Sequence, residues 1–291
     1  MTDIESRPSG GAVRTRPDRT GRDGTRPPSR PRRTAHRVRN ATLQLVAFAV
    51  LFGSWQLMAG ARIIDPAFTS EPSQFFPSFF HGVFGGHLLS LMGTTLYETF
   101  YGFALAVGLG LVAGYLLAEF KIVDTVARPF LTGFNSLPRI ALAPLFVLWF
   151  GLGSMSRVVL IVSLSFFIVA FNTYAGLQGV NRDHLLLSRS LGASRAERFF
   201  KFVLPSATPS IFAGLQLALT YAFLGAVVGE MLSGSQGLGG YLALQMGTFN
   251  TTAFFGGLVL LIIVALIVSR AVQMAEDRLL RWRAAELRGT R

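Results

Sequence analysis

The chain has 291 residues, 51% of them hydrophobic and 14% charged, with a net charge of +12. So few charges exclude an ordinary soluble domain, where about a quarter of residues are charged, and point to a polytopic membrane protein. With no Cys there are no disulfides, thiolate metal sites or Cys nucleophiles. The basic excess is segregated by segment, which favours membrane lipid over nucleic acid as its partner.

Residues 1–40 carry 11 Arg against 4 acidic residues and almost nothing apolar. Such a segment buries too little surface to fold and reads as a disordered basic tail. Six apolar segments follow, at 42–60, 92–118, 129–150, 157–179, 208–231 and 253–274. Each is long enough to cross roughly 30 Å of hydrocarbon as a helix. The expected fold is an all-α membrane protein with six transmembrane helices in one domain, 41–275, followed by a basic tail at 276–291. Of 27 basic residues, 24 fall in residues 1–40 and 270–291 and in the 119–128 and 180–206 loops. The 151–156 and 232–252 loops have no charged residue. Lys and Arg accumulate on the cytoplasmic side, so both termini and the 180–206 loop are predicted to be cytoplasmic. A twin-Arg export signal is the rival reading of "RPRRTAHRVRNATLQLVAFAV"; its cleavage would leave five spans.

The 180–206 loop is amphipathic. "NRDHLLLSRSLGAS" reads as a short helix ending at Gly192, since Gly suits the left-handed position after a helix. Ser194 is placed to cap a second helix, from Arg195 to Val203. Leu204 and Pro205 are expected to end it, and Pro209 to open the fifth span.

This loop resembles that of binding-protein-dependent ABC importer permeases, whose pattern is E-A-A, three residues, G, nine residues, I-x-L-P. Here Gly192 is followed after nine residues by "FVLP", Phe202 to Pro205, while the Glu-Ala-Ala positions fall on Leu186, Leu187 and Ser188. "GFALAVGLGLVAGYLLAEF" (102–120), "NSLPRIALAPLFVLWFGLG" (135–153) and "VVGEMLSGSQGLGGYL" (227–242) are similar to permeases of the sulfonate, nitrate and taurine importers and to relatives for thiamine-precursor pyrimidines. The resemblance implies a passive pathway subunit in the bacterial inner membrane. Its ATPase-coupling loop would include Leu186, Ser188, Gly192, Ala193, Ser194, Arg195, Leu204 and Pro205. It further implies two copies of a cytoplasmic ATP-binding subunit that carry the ATP and Mg, a second and identical permease, and an extracytoplasmic solute-binding protein. No GxxxxGK[ST] phosphate loop occurs in this chain.

Ionisable groups inside spans are functional candidates. Glu98 and Arg139 either pair, or Arg139 faces the pathway and attracts an anion. Asn135, Ser136 and Pro138 weaken the third span, and broken helices line cavities, so Asn135, Ser136 and Arg139 are candidate pathway residues, together with Glu98. Asn172 is another, with interhelical bonding as its alternative. Glu230 precedes the glycine-rich "MLSGSQGLGG", and with Gly237 and Gly239 it is a candidate outer gate. An intramembrane serine protease would need a His base in a span; His36, His81, His87 and His184 all lie outside the long apolar runs. A secondary transporter would need coupling acids and often inverted repeats. Only Glu98 qualifies as such an acid, and no repeat is visible.

Overall fold

A helix satisfies its own backbone groups in hydrocarbon, and the described regular structure is entirely helical. The computed structural model describes residues 33–63, 68–180, 188, 190, 192–234 and 236–279. Residues 1–32 and 280–291 of the expected tails, and 181–187 with Leu186, lie outside the described residues.

Contacts divide the chain into Met1–Val50 and Leu51–Arg291. The first unit is the beginning of α1 (Arg33–Gly60), which starts ahead of the apolar segment expected from residue 42. Its Leu43, Leu45 and Val46 are exposed, as suits a lipid-facing helix.

The second unit is built on α6 (Ser154–Gln178), packed between α3 (His87–Glu119) and α8 (Leu204–Ser233). Lipid gives helices little hydrophobic reason to associate, so close approach of backbones decides packing. The α3 face toward α6 is small at every fourth residue: Gly102, Ala106, Gly110 and Gly114 are all buried. A Cβ at Gly102 would stand 2.6 Å from Ile161 Cγ2, and one at Gly114 would stand 2.5 Å from the Ala170 carbonyl. On the other side of α6, Ser165 Oγ donates to the Ala218 carbonyl (2.9 Å) and Ser210 Oγ to that of Asn172 (2.9 Å).

Five described helices are long and apolar enough to cross a membrane, and the count reaches six if one bent pair is a single span. That pair is α4 (Lys121–Asn135) with Arg139–Phe150, a 3-10 turn (Arg139–Leu142) leading into α5 (Ala143–Phe150); the bend is 80°. The break falls at Asn135, Ser136 and Pro138, where helix continuity was expected to weaken. The 119–128 segment, expected as a loop, is mostly the start of α4: Phe120 alone interrupts the helix, and an Asp124–Arg128 pair (2.8 Å) braces the next turn. Two further helices stand where only loops were expected. These are α2 (Pro72–Phe84) and α9 (Gly237–Gly247), and both pack against α10 (Thr251–Leu279).

Candidate functional site

The loop helix is held by local bonds. Ser188 and Ser190 are helical, and Gly192 follows with φ +76°. The Ala193 N–H reaches back to the Ser188 carbonyl at 3.1 Å. This six-to-one bond across a left-handed glycine is the Schellman ending of a helix, so Gly192 stands where sequence placed it. Ser194 begins α7 (Arg195–Arg198): its Oγ accepts the Glu197 N–H (3.2 Å), and Glu197 Oε2 accepts the Ser194 N–H (3.1 Å). These reciprocal bonds form a capping box. Lys201 adds an ion pair with Glu197 at 3.0 Å.

The expected end at Leu204 and Pro205 is not found. A π-turn (Phe199–Val203) joins α7 directly to α8, so one helical run extends over Arg195–Ser233. The Leu204 N–H donates to the Phe199 carbonyl, five residues back. In a regular α-helix the Pro205 ring would clash with the Lys201 carbonyl; the wider turn relieves that clash without breaking the run. Pro209 therefore lies inside α8 rather than at its start. Phe199 meets Tyr115 of α3 edge to face, ring centroids 5.5 Å apart.

A buried polar cluster joins four helices. Arg157, in the first turn of α6, donates from Nε to Glu98 Oε2 (2.7 Å) and from Nη2 to Glu98 Oε1 (2.5 Å). Its Nη1 donates to Ser233 Oγ of α8 at 2.9 Å. Arg157 and Glu98 are each about 2% exposed. This corrects the expected alternatives for Glu98, which neither pairs with Arg139 nor is left open to a pathway within this chain. The cause is geometric: the helix break turns Arg139 toward the middle of α6, while Arg157 faces α3.

Glu230 is wholly buried one turn before Ser233. Its Oε2 accepts from Thr95 Oγ1 of α3 (2.9 Å) and from the Gly239 N–H (2.7 Å). Thr95 Oγ1 in turn accepts the Leu238 N–H at 2.9 Å. The start of α9 has no side-chain cap of its own. Two of its free N–H groups, those of Leu238 and Gly239, are instead satisfied by two other helices. Gly237 has φ +84°, and a Cβ there would overlap the Glu230 carboxyl. Glu230, Gly237 and Gly239, grouped from sequence, are in contact. Arg157, Thr95 and Ser233 were missed as site residues; the available signal was an Arg at the head of an apolar segment.

Arg139 donates to the carbonyls of Ser163 (3.0 Å) and Leu164 (3.3 Å) and to Asn135 Oδ1 (2.8 Å), and its guanidinium lies over Phe167. It has no acidic partner among the described residues and is half-buried. Ser136 Oγ donates to the Thr132 carbonyl. Asn172 donates from Nδ2 to the Ile168 carbonyl (2.8 Å) and packs where Gly214 of α8 leaves room.

Residues 106–281 match the family model described as binding-protein-dependent transport system inner membrane component. The chain belongs to this family. It is 31% identical over 236 residues to the protein of Bacillus subtilis named as an aliphatic sulfonates transport permease, SsuC, covering 81% of this chain and 85% of that one. To the formylaminopyrimidine transport permease protein ThiX of Halalkalibacterium halodurans it is 36% identical, covering 62% of this chain and 73% of that one. A chain of the inward-facing MetNI methionine ABC transporter superposes with a TM-score of 0.53 at 25% identity, covering 64% of this chain and 91% of that chain. The permease is thus a multi-pass inner-membrane subunit of an ABC importer, and it transports rather than catalyses. The family implies a separate ATPase and a solute-binding protein as partners.

Proposed function

We propose that the permease forms half of a substrate pathway with a second, identical copy, and that its 180–206 loop docks on a cytoplasmic ATPase subunit present in two copies. ATP and Mg are bound by those subunits. The chain crosses the membrane six times with both termini inside, the bent pair counting as one span. An extracytoplasmic binding protein delivers a small organic solute, of the sulfonate, taurine, nitrate or thiamine-precursor kind, to the opposite face. That face includes Glu230, Gly237 and Gly239 as the outer gate.

The observation that carries the coupling reading is the unbroken run Arg195–Ser233. The docking segment is the first turn of the fifth span, so displacement at residues 192–195 passes into α8 as a rigid-body motion. The pathway assignment rests on Asn135, Ser136 and Arg139 at the helix break. A half-buried cation without an acidic partner draws an anionic group toward it.

The absence of native Cys makes cross-linking free of background. Arg195→Cys should cross-link to the ATPase subunit, and Gly85→Cys should be labelled only from outside the cell. The chain alone should not hydrolyse ATP, and with ATPase and binding protein it should support ATP-dependent uptake. Labelling of Gly85→Cys from the cytoplasm would refute the topology, and ATP hydrolysis by the isolated chain would refute the passive role.

A further inference from the structure

We propose that the cavity between the end of α3, the end of α6 and α7 binds the phosphate of an anionic phospholipid headgroup, held by Arg195 and Arg198. The site stands whether or not the loop docks on an ATPase. Only its side of the membrane, the cytoplasmic one, rests on the topology proposed above.

The cavity measures about 420 Å³. The two spans supply Tyr115, Glu119 and Leu177, and α7 with the π-turn supplies Arg195, Arg198 and Phe199. A second cavity of about 590 Å³ shares Tyr115, Glu119, Arg195 and Phe199 with it and extends to Phe200. Glu119 is the last residue of α3, and Leu177 is next to last in α6. The cavity therefore lies where two spans leave the hydrocarbon, at the depth of lipid headgroups. Phe200 is 66% exposed, and Phe120, which follows Glu119, is 50% exposed. Exposed aromatic rings at this depth suit the zone where acyl chains meet headgroups.

The charges in the cavity do not balance. Arg195 and Arg198 make no side-chain hydrogen bond or ion pair with any described residue, although Glu119 lines the same space. Glu197, the acid of α7 itself, is committed to Lys201 and to the Ser194 cap. Two guanidinium groups thus face one carboxylate, with one positive charge in excess. Residues three apart on a helix share a face, so both side chains can reach one phosphate. The planar donor set of a guanidinium matches phosphate oxygens in pairs. A phosphodiester carries a single negative charge, which balances the cavity. Glu119 is left to accept from a headgroup hydroxyl, as phosphatidylglycerol provides. A basic cavity between spans at a membrane surface is a known setting for anionic headgroups.

An acidic side chain of the ATPase subunit is the rival occupant. The walls favour the lipid: Tyr115 belongs to a membrane-spanning helix and is 38% exposed, and Phe199 packs on it edge to face. The cavity is thereby carried to the lipid boundary of α3.

The test uses the absence of native Cys. Ala118→Cys, in the cavity wall, is introduced into the full-length permease. The protein is assembled with its ATPase subunit in nanodiscs of phosphatidylcholine, with or without phosphatidylglycerol, and maleimide labelling of the permease is followed by mass. Labelling should be several-fold slower with phosphatidylglycerol, and Arg198→Gln on the same background should remove the difference. Lys201→Gln, which loses a cation of the same loop outside the cavity, should keep it. An equal loss in both variants would mean general charge attraction and would overturn the site. Equal rates in the two lipids overturn it as well, including the case where the ATPase subunit covers the cavity. Slowing by inorganic phosphate in phosphatidylcholine, with nothing added by phosphatidylglycerol, would assign the site to free phosphate and overturn the lipid. As a measurement that needs no variant, the wild-type complex is taken from an equal mixture of the two lipids into native mass spectrometry. It should retain phosphatidylglycerol preferentially, and retention without preference refutes the proposal. Failure of the complex to support uptake would count against the permease reading and leave both lipid measurements unaffected.

Discussion

The loop at 188–205 and the cluster around Arg157 hold their shapes in opposite ways. In the loop, the defining bonds link residues three to five apart: Ser188 with Ala193, Ser194 with Glu197, Phe199 with Leu204. In the cluster they link Glu98 to Arg157, Arg157 to Ser233, and Thr95 to Glu230 and Leu238, all far apart in sequence. A locally bonded element keeps its form when its surroundings shift, so it can carry motion. A set of bonds between helices stands or falls with their arrangement, so it fixes which arrangement is stable. The first is suited to transmit and the second to select.

Breaking the cluster should therefore cost most. Arg157→Met strands the buried Glu98 carboxylate, and removing one partner of a buried pair costs about 3–5 kcal/mol. The double variant Glu98→Gln with Arg157→Met should recover much of this, because no unmatched charge is left. Thermal unfolding of the purified permease in detergent reads both. If the single variant unfolds no earlier than the double, the pair does not hold α3 to α6.

Gly237→Ala comes next. Its φ of +84° disfavours any side chain, and the new Cβ would overlap the Glu230 carboxyl. Such strain costs about 1–3 kcal/mol, and it falls on the start of α9. The expected result is a permease that inserts but transports poorly, with α9 backbone amides exchanging hydrogen faster. Unchanged exchange in α9 would show that Glu230 does not hold it.

The same contrast explains what was legible before the structure. Gly192 and Ser194 announce their roles within a few residues, because capping is a local matter. Glu230, Gly237 and Gly239 were grouped for the same reason. The Glu98–Arg157 pair spans 59 residues, and single-sequence periodicity does not report which faces of two helices meet. Arg139, nearer in depth along its segment, was the natural but wrong partner to expect. The break at Asn135 to Pro138 was legible from composition, but the direction of its bend was not. The continuity through Pro205 was hidden because proline ordinarily ends or kinks a helix, and a π-turn is a geometric remedy without a sequence signature of its own.

Perturbing the loop should cost less stability and more coupling. A Cβ at Gly192 would meet nothing within 4 Å, so only its φ of +76° opposes substitution. Gly192→Val should be strained by about 1–2 kcal/mol, while Gly192→Asn, which enters the left-handed region more readily, should be milder. Uptake and substrate-stimulated ATPase activity should fall together in the Val variant, with membrane insertion intact. Transport at the wild-type rate by Gly192→Val would make this loop an anchor and not a coupling element.

The smallest effect separates rigidity from mere presence of the loop. Ser194→Ala removes the hydroxyl that accepts the Glu197 N–H, and loss of an N-cap typically costs about 1 kcal/mol. No contact outside the loop is touched, because both capping partners lie within it. The helix should still form, since it continues into α8, but its first turn should fray. If coupling depends on a rigid first turn, uptake per ATP hydrolysed should drop although global unfolding barely shifts. Ser194→Asp, which restores an acceptor at the same position, should recover the ratio. A ratio unchanged in Ser194→Ala would mean that force enters α8 beyond the capped turn, at the π-turn where Phe199 packs on Tyr115.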